Sequence, residues 1–104
     1  MEVTINTQHC TVPDSLLDQT ERRVSRLDRY HPRATFATVI YQADRGLKNC
    51  EARIHVAGGP PLVASSRDTS FRGALDNTVA RLERQLKRQR ERRRRRGVEF
   101  VRTA

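Results

Sequence analysis

A chain of 104 residues, 36% hydrophobic and 32% charged, has room for one domain around a single modest core and leaves little for a second. No run of roughly 18 apolar residues occurs, and the opening MEVTINTQHC has neither a basic start nor an apolar stretch, so a transmembrane helix and a secretory signal are not expected and the expected compartment is the cytoplasm. The formal charge of +9, from 21 Lys+Arg against 12 Asp+Glu, points to a polyanion, with nucleic acid ahead of a membrane surface.

Residues 2–8, EVTINTQ, alternate with Val3 and Ile5 on one side and read as a first strand. Thr11-Val12-Pro13-Asp14 supplies a turn and a helix start, with Asp14 or Thr11 able to cap it. Residues 15–31 follow the helical period, Leu16, Leu17, Thr20, Val24, Leu27 and Tyr30 sharing one face. Pro32 should end that helix near His31, because proline disfavours helical geometry in the residue before it. Residues 35–42, TFATVIYQ, are β-branched and aromatic and read as a strand. After a turn at Asp44-Arg45-Gly46, residues 49–57 alternate, with Cys50, Ala52, Ile54 and Val56 on one side and Glu51, Arg53 and His55 on the other. Ala57-Gly58-Gly59-Pro60-Pro61 is a turn, and residues 62–67 form a weaker fourth strand. A second helix opens near Asp68 or Ser70 with Phe71, Ala74, Leu75, Val79, Leu82 and Leu86 as its apolar face. Beyond Leu86 no apolar residue recurs before Val98, so residues 1–90 are expected to form the domain and 91–104 a basic, disordered tail.

The order β-α-β-β-β-α predicts an α/β two-layer sandwich: a four-stranded sheet with two helices on one face and solvent on the other. One right-handed crossover, then three hairpin-like connections, would link the elements.

Charge is distributed unevenly along this frame. Residues 81–96 hold Arg81, Arg84, Lys87, Arg88, Arg90 and Arg92 to Arg96 against Glu83 and Glu91, a net +8 in one segment. On the first helix Arg22, Arg26, Arg29 and Arg33 fall within about 60° of one another beside the apolar stripe, while Asp14, Asp18, Glu21 and Asp28 gather on the opposite flank and outer face. On the second helix Arg81, Arg84 and Arg88 form a similar band, with Asp76 and Glu83 on the other side. Ordinary solvated helices mix signs and gain from i,i+4 pairs such as Asp18–Arg22. Segregation by sign instead points to a basic surface for a polyanion. Arginine dominates that surface, and its planar fork suits phosphate and stacks on bases.

Catalytic constellations are thin. His9, His31 and His55 are scattered, Ser65 and Ser66 have no partner histidine, and Gly58-Gly59 precedes a strand and not a helix, so no phosphate loop is formed. Cys10 and Cys50 stand alone without zinc-ligand spacing and read as free thiols. No enzyme activity, cofactor, metal or small-molecule substrate is expected.

His55-Val56-Ala57-Gly58-Gly59, a short strand, Ala74-Leu75-Asp76, then Arg81-Leu82-Glu83-Arg84-Gln85-Leu86-Lys87-Arg88 together resemble the ribosome hibernation promoting factor family, which includes the ribosome-associated inhibitor protein Y. Val3-Thr4-Ile5-Asn6-Thr7 and Arg26-Leu27-Asp28-Arg29-Tyr30 add to the likeness, which spans about residues 2–92. The resemblance implies a domain shaped like double-stranded RNA-binding domains, a small-ribosomal-subunit and 16S ribosomal RNA partner, and a site in the channel for mRNA and tRNA. It implies RNA-binding roles for Arg22, Arg26, Arg29, Arg81, Arg84, Lys87, Arg88 and Arg90, and so a translation inhibitor of idle ribosomes under stress or in stationary phase. The alternatives are a general double-stranded RNA-binding module or RNA chaperone, and a partner-binding domain using the open sheet face. Ser70 and Arg72 depart from the family's usual acidic cap and aromatic two places on.

Overall fold

Period-two alternation and a β-branched middle segment place the sheet, and two amphipathic stretches cover it. The computed structural model describes the backbone of residues 1–103 and the side chains of residues 1–94. Its elements are β1 (Glu2–Gln8), α1 (Asp14–Ser25), a 3₁₀ helix (Arg26–Tyr30), β2 (Ala34–Asp44), β3 (Leu47–Val56), β4 (Leu62–Asp68) and α2 (Phe71–Thr103). The strands lie in chain order across the sheet, with β1 parallel to β2 and the other neighbours antiparallel. The sandwich expected from the element order is thus the fold. Two hairpins rather than three connect the strands, because the connection after β4 leads into α2.

The β2–β3 hairpin has a two-residue loop, Arg45-Gly46, with φ of 49° and 79°. Positive φ at both positions matches the right-handed twist of the flanking strands, and glycine takes the second at no steric cost. In β3, Cys50, Ala52 and Ile54 point into the core, as the alternation requires. The face of α2 expected to be apolar buries Ala74, Leu75, Val79, Leu82 and Leu86, and Phe71 packs against the edge of the Tyr41 ring.

Hydroxyls inside the core find partners, while Asn49 Oδ1 is buried without one. The hydroxyls of Thr20 and Tyr41 meet at 2.5 Å, and Thr78 Oγ1 donates to the Cys50 carbonyl at 3.1 Å. Burial pushes the Tyr41 phenol well above its ordinary pKa and the Cys50 thiol up to about 11, so both stay neutral and Cys50 is a weak nucleophile.

Helix ends refine the sequence reading. At the start of α1, Pro13 occupies the cap position without a side-chain bond, and its carbonyl accepts from the Leu16 and Leu17 amides. Neither Thr11 nor Asp14 caps; Asp14 stands in the first turn, where its charge opposes the helix dipole. At the start of α2, Ser70 Oγ accepts from the Gly73 amide at 3.0 Å, so serine performs the capping that an acidic residue would. The helical period of residues 15–31 divides at Ser25 into α1 and the tighter 3₁₀ helix. His31 is extended (φ −149°, ψ 110°), as a residue before proline prefers. No helix among the described residues is long and apolar enough to cross a membrane. α2 continues past Leu86 to Thr103, so the backbone of residues 91–103 is helical where a disordered tail was expected, and the side chains of 95–104 fall outside the described residues.

Candidate nucleic-acid interface

The eight cations singled out by the sequence are all exposed. They occupy the helix layer, because the apolar face of each helix is committed to the sheet. Contacts between elements gather five of them into two groups, and the other three stand apart.

Arg81, Arg84 and Arg88 lie along one flank of α2 and, with Gln85 and residues 63–65 of β4, line a groove of about 380 Å³. Arg81 donates to the Ser65 carbonyl, and Gln85 Nε2 donates to the Val63 carbonyl at 3.1 Å. These bonds pin the α2 flank to the sheet edge and cap outward carbonyls of β4, which blunts that edge against strand addition. Arg84 Nε reaches the Ala80 carbonyl at 3.5 Å, and its two terminal guanidinium nitrogens have no protein partner among the described residues.

Arg29 and Lys87 meet around Tyr30. Arg29 Nη2 donates to the Tyr30 hydroxyl at 2.8 Å, and that hydroxyl donates to Glu83 Oε1 at 2.6 Å. Lys87 pairs with Glu83 at 3.3 Å, and both cations lie over the Tyr30 ring, 4.8 and 5.1 Å from its centroid. The bond from Tyr30, and then Lys87, holds the Glu83 carboxyl below its ordinary pKa. Arg22 and Arg26 stand apart on the outer flank of the first helical segment, and Arg90 follows Lys87 by three residues on α2.

The basic bands of the two helices do not adjoin. Asp76 and Glu83 face the first helix, and each is met there: Asp76 by Arg23 and Glu83 by Tyr30. Asp76 and Glu83 are therefore consumed in a seam between the helices, while Glu91, further along α2, is exposed. Among the described residues, Arg22, Arg26, Arg81, Arg84, Arg88 and Arg90 have no carboxylate partner. The helix layer presents cations on both sides of a neutralised seam. The sequence wheel missed Arg23 as a clamp and Tyr30 as the link between helices. Tyr30's place at the end of the apolar stripe was the available signal.

The opposite face of the sheet is mixed. Phe36 stacks on His55 at 4.1 Å, with Arg53 and Glu51 beside them on β3. It offers no continuous apolar patch or single-sign field.

Residues 3–94 match the family model described as sigma 54 modulation protein / S30EA ribosomal protein. The ribosome hibernation promoting factor of Azotobacter vinelandii is 34% identical over 86 residues, covering 83% of this chain and 79% of that protein. Its counterpart in Pseudomonas putida is 29% identical over 91 residues, 88% of each chain. The protein Y N-terminal domain of Thermus thermophilus superposes with a TM-score of 0.75 at 27% identity, over 85% of this chain and 98% of that one. A ribosomal subunit interface protein from Coxiella burnetii shares the fold, with a TM-score of 0.79 at 18% identity over 88% of this chain and 99% of that one.

Proposed function

The chain belongs to the sigma 54 modulation protein / S30EA ribosomal protein family, and on that premise we propose that it is a non-enzymatic hibernation factor that binds the small ribosomal subunit in its mRNA and tRNA channel. The observation that carries this reading is the set of exposed arginines without carboxylate partners on α1, the 3₁₀ helix and α2, set on a rigid two-layer domain. Folded RNA presents phosphate and contour more than readable base edges. A surface of fixed guanidinium forks answers that target without a sequence-reading pocket. Arg22, Arg26, Arg29, Arg81, Arg84, Lys87, Arg88 and Arg90 would neutralise 16S ribosomal RNA phosphates, and the body of the sandwich would exclude tRNA and mRNA by volume. Names given to the relatives in Azotobacter vinelandii and Pseudomonas putida support a role in hibernation.

The test compares affinity for purified 30S subunits with affinity for a plain RNA duplex at the same salt. Tighter binding to 30S, with inhibition of a cell-free translation extract, is expected. Equal affinity for both would make the chain a general double-stranded RNA-binding module.

A further inference from the structure

A further cationic feature lies outside the groups above. A cavity of about 320 Å³ opens at the end of the sheet. There the end of the 3₁₀ helix, the residue before β2, the β3–β4 turn and a late turn of α2 converge. Arg33, Arg92 and Arg93 line it together with His31, Gln89 and the turn around Gly58, and no carboxylate lines it among the described residues.

The parts are held in place. The Arg33 carbonyl accepts from the Ala57 amide at 2.8 Å, which ties the start of β2 to the turn. Gly58 has φ 77°, and a side chain there would sit 3.7 Å from Arg33 Nη1, so the guanidinium lies over the turn. His31 is 2% exposed; its Nδ1 accepts from the Arg33 amide at 3.2 Å and its Nε2 meets Gln89 Oε1 at 3.1 Å. The second contact requires a proton on Nε2, and the first requires none on Nδ1, so the ring is the neutral Nε2–H tautomer. It therefore contributes no charge to the cavity. Burial first, and then the charge of Arg93 and Arg33, hold its pKa below the ordinary value against the opposing bond from Gln89.

We propose that this cavity is a seat for one phosphate group, gripped by Arg33, Arg92 and Arg93 against the β3–β4 turn. Three guanidinium groups around one space repel one another, and a tetrahedral anion relieves that repulsion while accepting paired N–H bonds from each fork. The glycine turn serves as a wall, and the ligands are side chains from two other elements. The phosphate could be a phosphodiester of an RNA backbone or a soluble phosphomonoester. The first source rests on the ribosome-binding reading above, and the second does not.

The experiment titrates the ¹⁵N-labelled full chain with inorganic phosphate at constant ionic strength set by chloride. Saturable shifts are expected at the Gly58 and Gly59 amides and the His31 ring. They should be lost in Arg33→Gln/Arg93→Gln and kept in Arg53→Gln on the open sheet face. Each single substitution should weaken phosphate by roughly tenfold, the scale of one charge-assisted hydrogen bond. If the seat takes an RNA phosphate, the double variant also binds 30S less tightly, and its logarithmic salt slope falls in magnitude by about 0.7–0.9. If it takes a soluble phosphomonoester, 30S binding is unchanged and glycerol phosphate reproduces the shifts. Either result supports the seat. Absence of saturable shifts at Gly58 and Gly59, or identical shifts in Arg33→Gln/Arg93→Gln, overturns it. Should the wild-type chain fail to sediment with 30S while the phosphate shifts stand, the ribosome reading fails and the seat remains.

Discussion

Single residues set the chemistry of this surface, and two of them can be read through pH. His31 is neutral and buried, with its pKa held down in the folded chain. The unfolded chain therefore takes up a proton first as pH falls below about 6.5, so stability present above that value declines toward the lower folded pKa. Urea midpoints at pH 7.5 and 5.5 should show this loss in the wild type and a flatter profile in His31→Gln. Glu83 has the opposite ordinary charge and a depressed pKa. Its contribution is present above the usual carboxylate range and is lost as pH falls through its lowered value. Tyr30→Phe removes the hydroxyl that holds Glu83 and accepts from Arg29. A cost of about 0.5–1.5 kcal/mol is expected for that bond, and a urea melt at neutral pH measures it.

At the scale of elements, α2 carries both core and interface on one cylinder, so fold and binding can be separated along it. Leu82 is fully buried, and Leu82→Ala should cost about 2–5 kcal/mol through the cavity it leaves. Arg84 and Arg88 are exposed on the β4 flank, and reversing both to Glu should change stability by only about 0.5 kcal/mol per site. Thermal melts with 30S pelleting distinguish the two: the leucine variant should melt early, and the arginine variant should melt normally and stay in the supernatant. The inner faces of α2 and β3 were legible in the sequence, because period 3.6 and period 2 mark which residues turn inward whatever they meet. The seam was not legible. Arg23 and Asp76, and Tyr30 and Glu83, are each 53 residues apart, and a helical wheel gives a direction but no neighbour. For the same reason the wheel could not foresee Gln89 reaching His31 across 58 residues. Pro13 in place of an expected cap shows a further limit, since a carbonyl serves the first amides of α1 without any side chain.

Considered whole, the molecule is a neutral-seamed helix layer with basic flanks, backed by a sheet whose open face is mixed in character. Net charge of +9 on 104 residues, most of it in one segment of α2, gives a long-range pull toward RNA, and the separated bands give that pull a shape. Such a surface binds by releasing counterions from phosphates, so its affinity must depend on salt in proportion to the contacts made. The most direct measurement is 30S binding by the wild-type chain across a series of salt concentrations. If about six phosphates are met, the plot of log affinity against log salt should be linear with a slope of roughly −4 to −5. A slope near zero, or no sedimentation with 30S at low salt, would contradict the account.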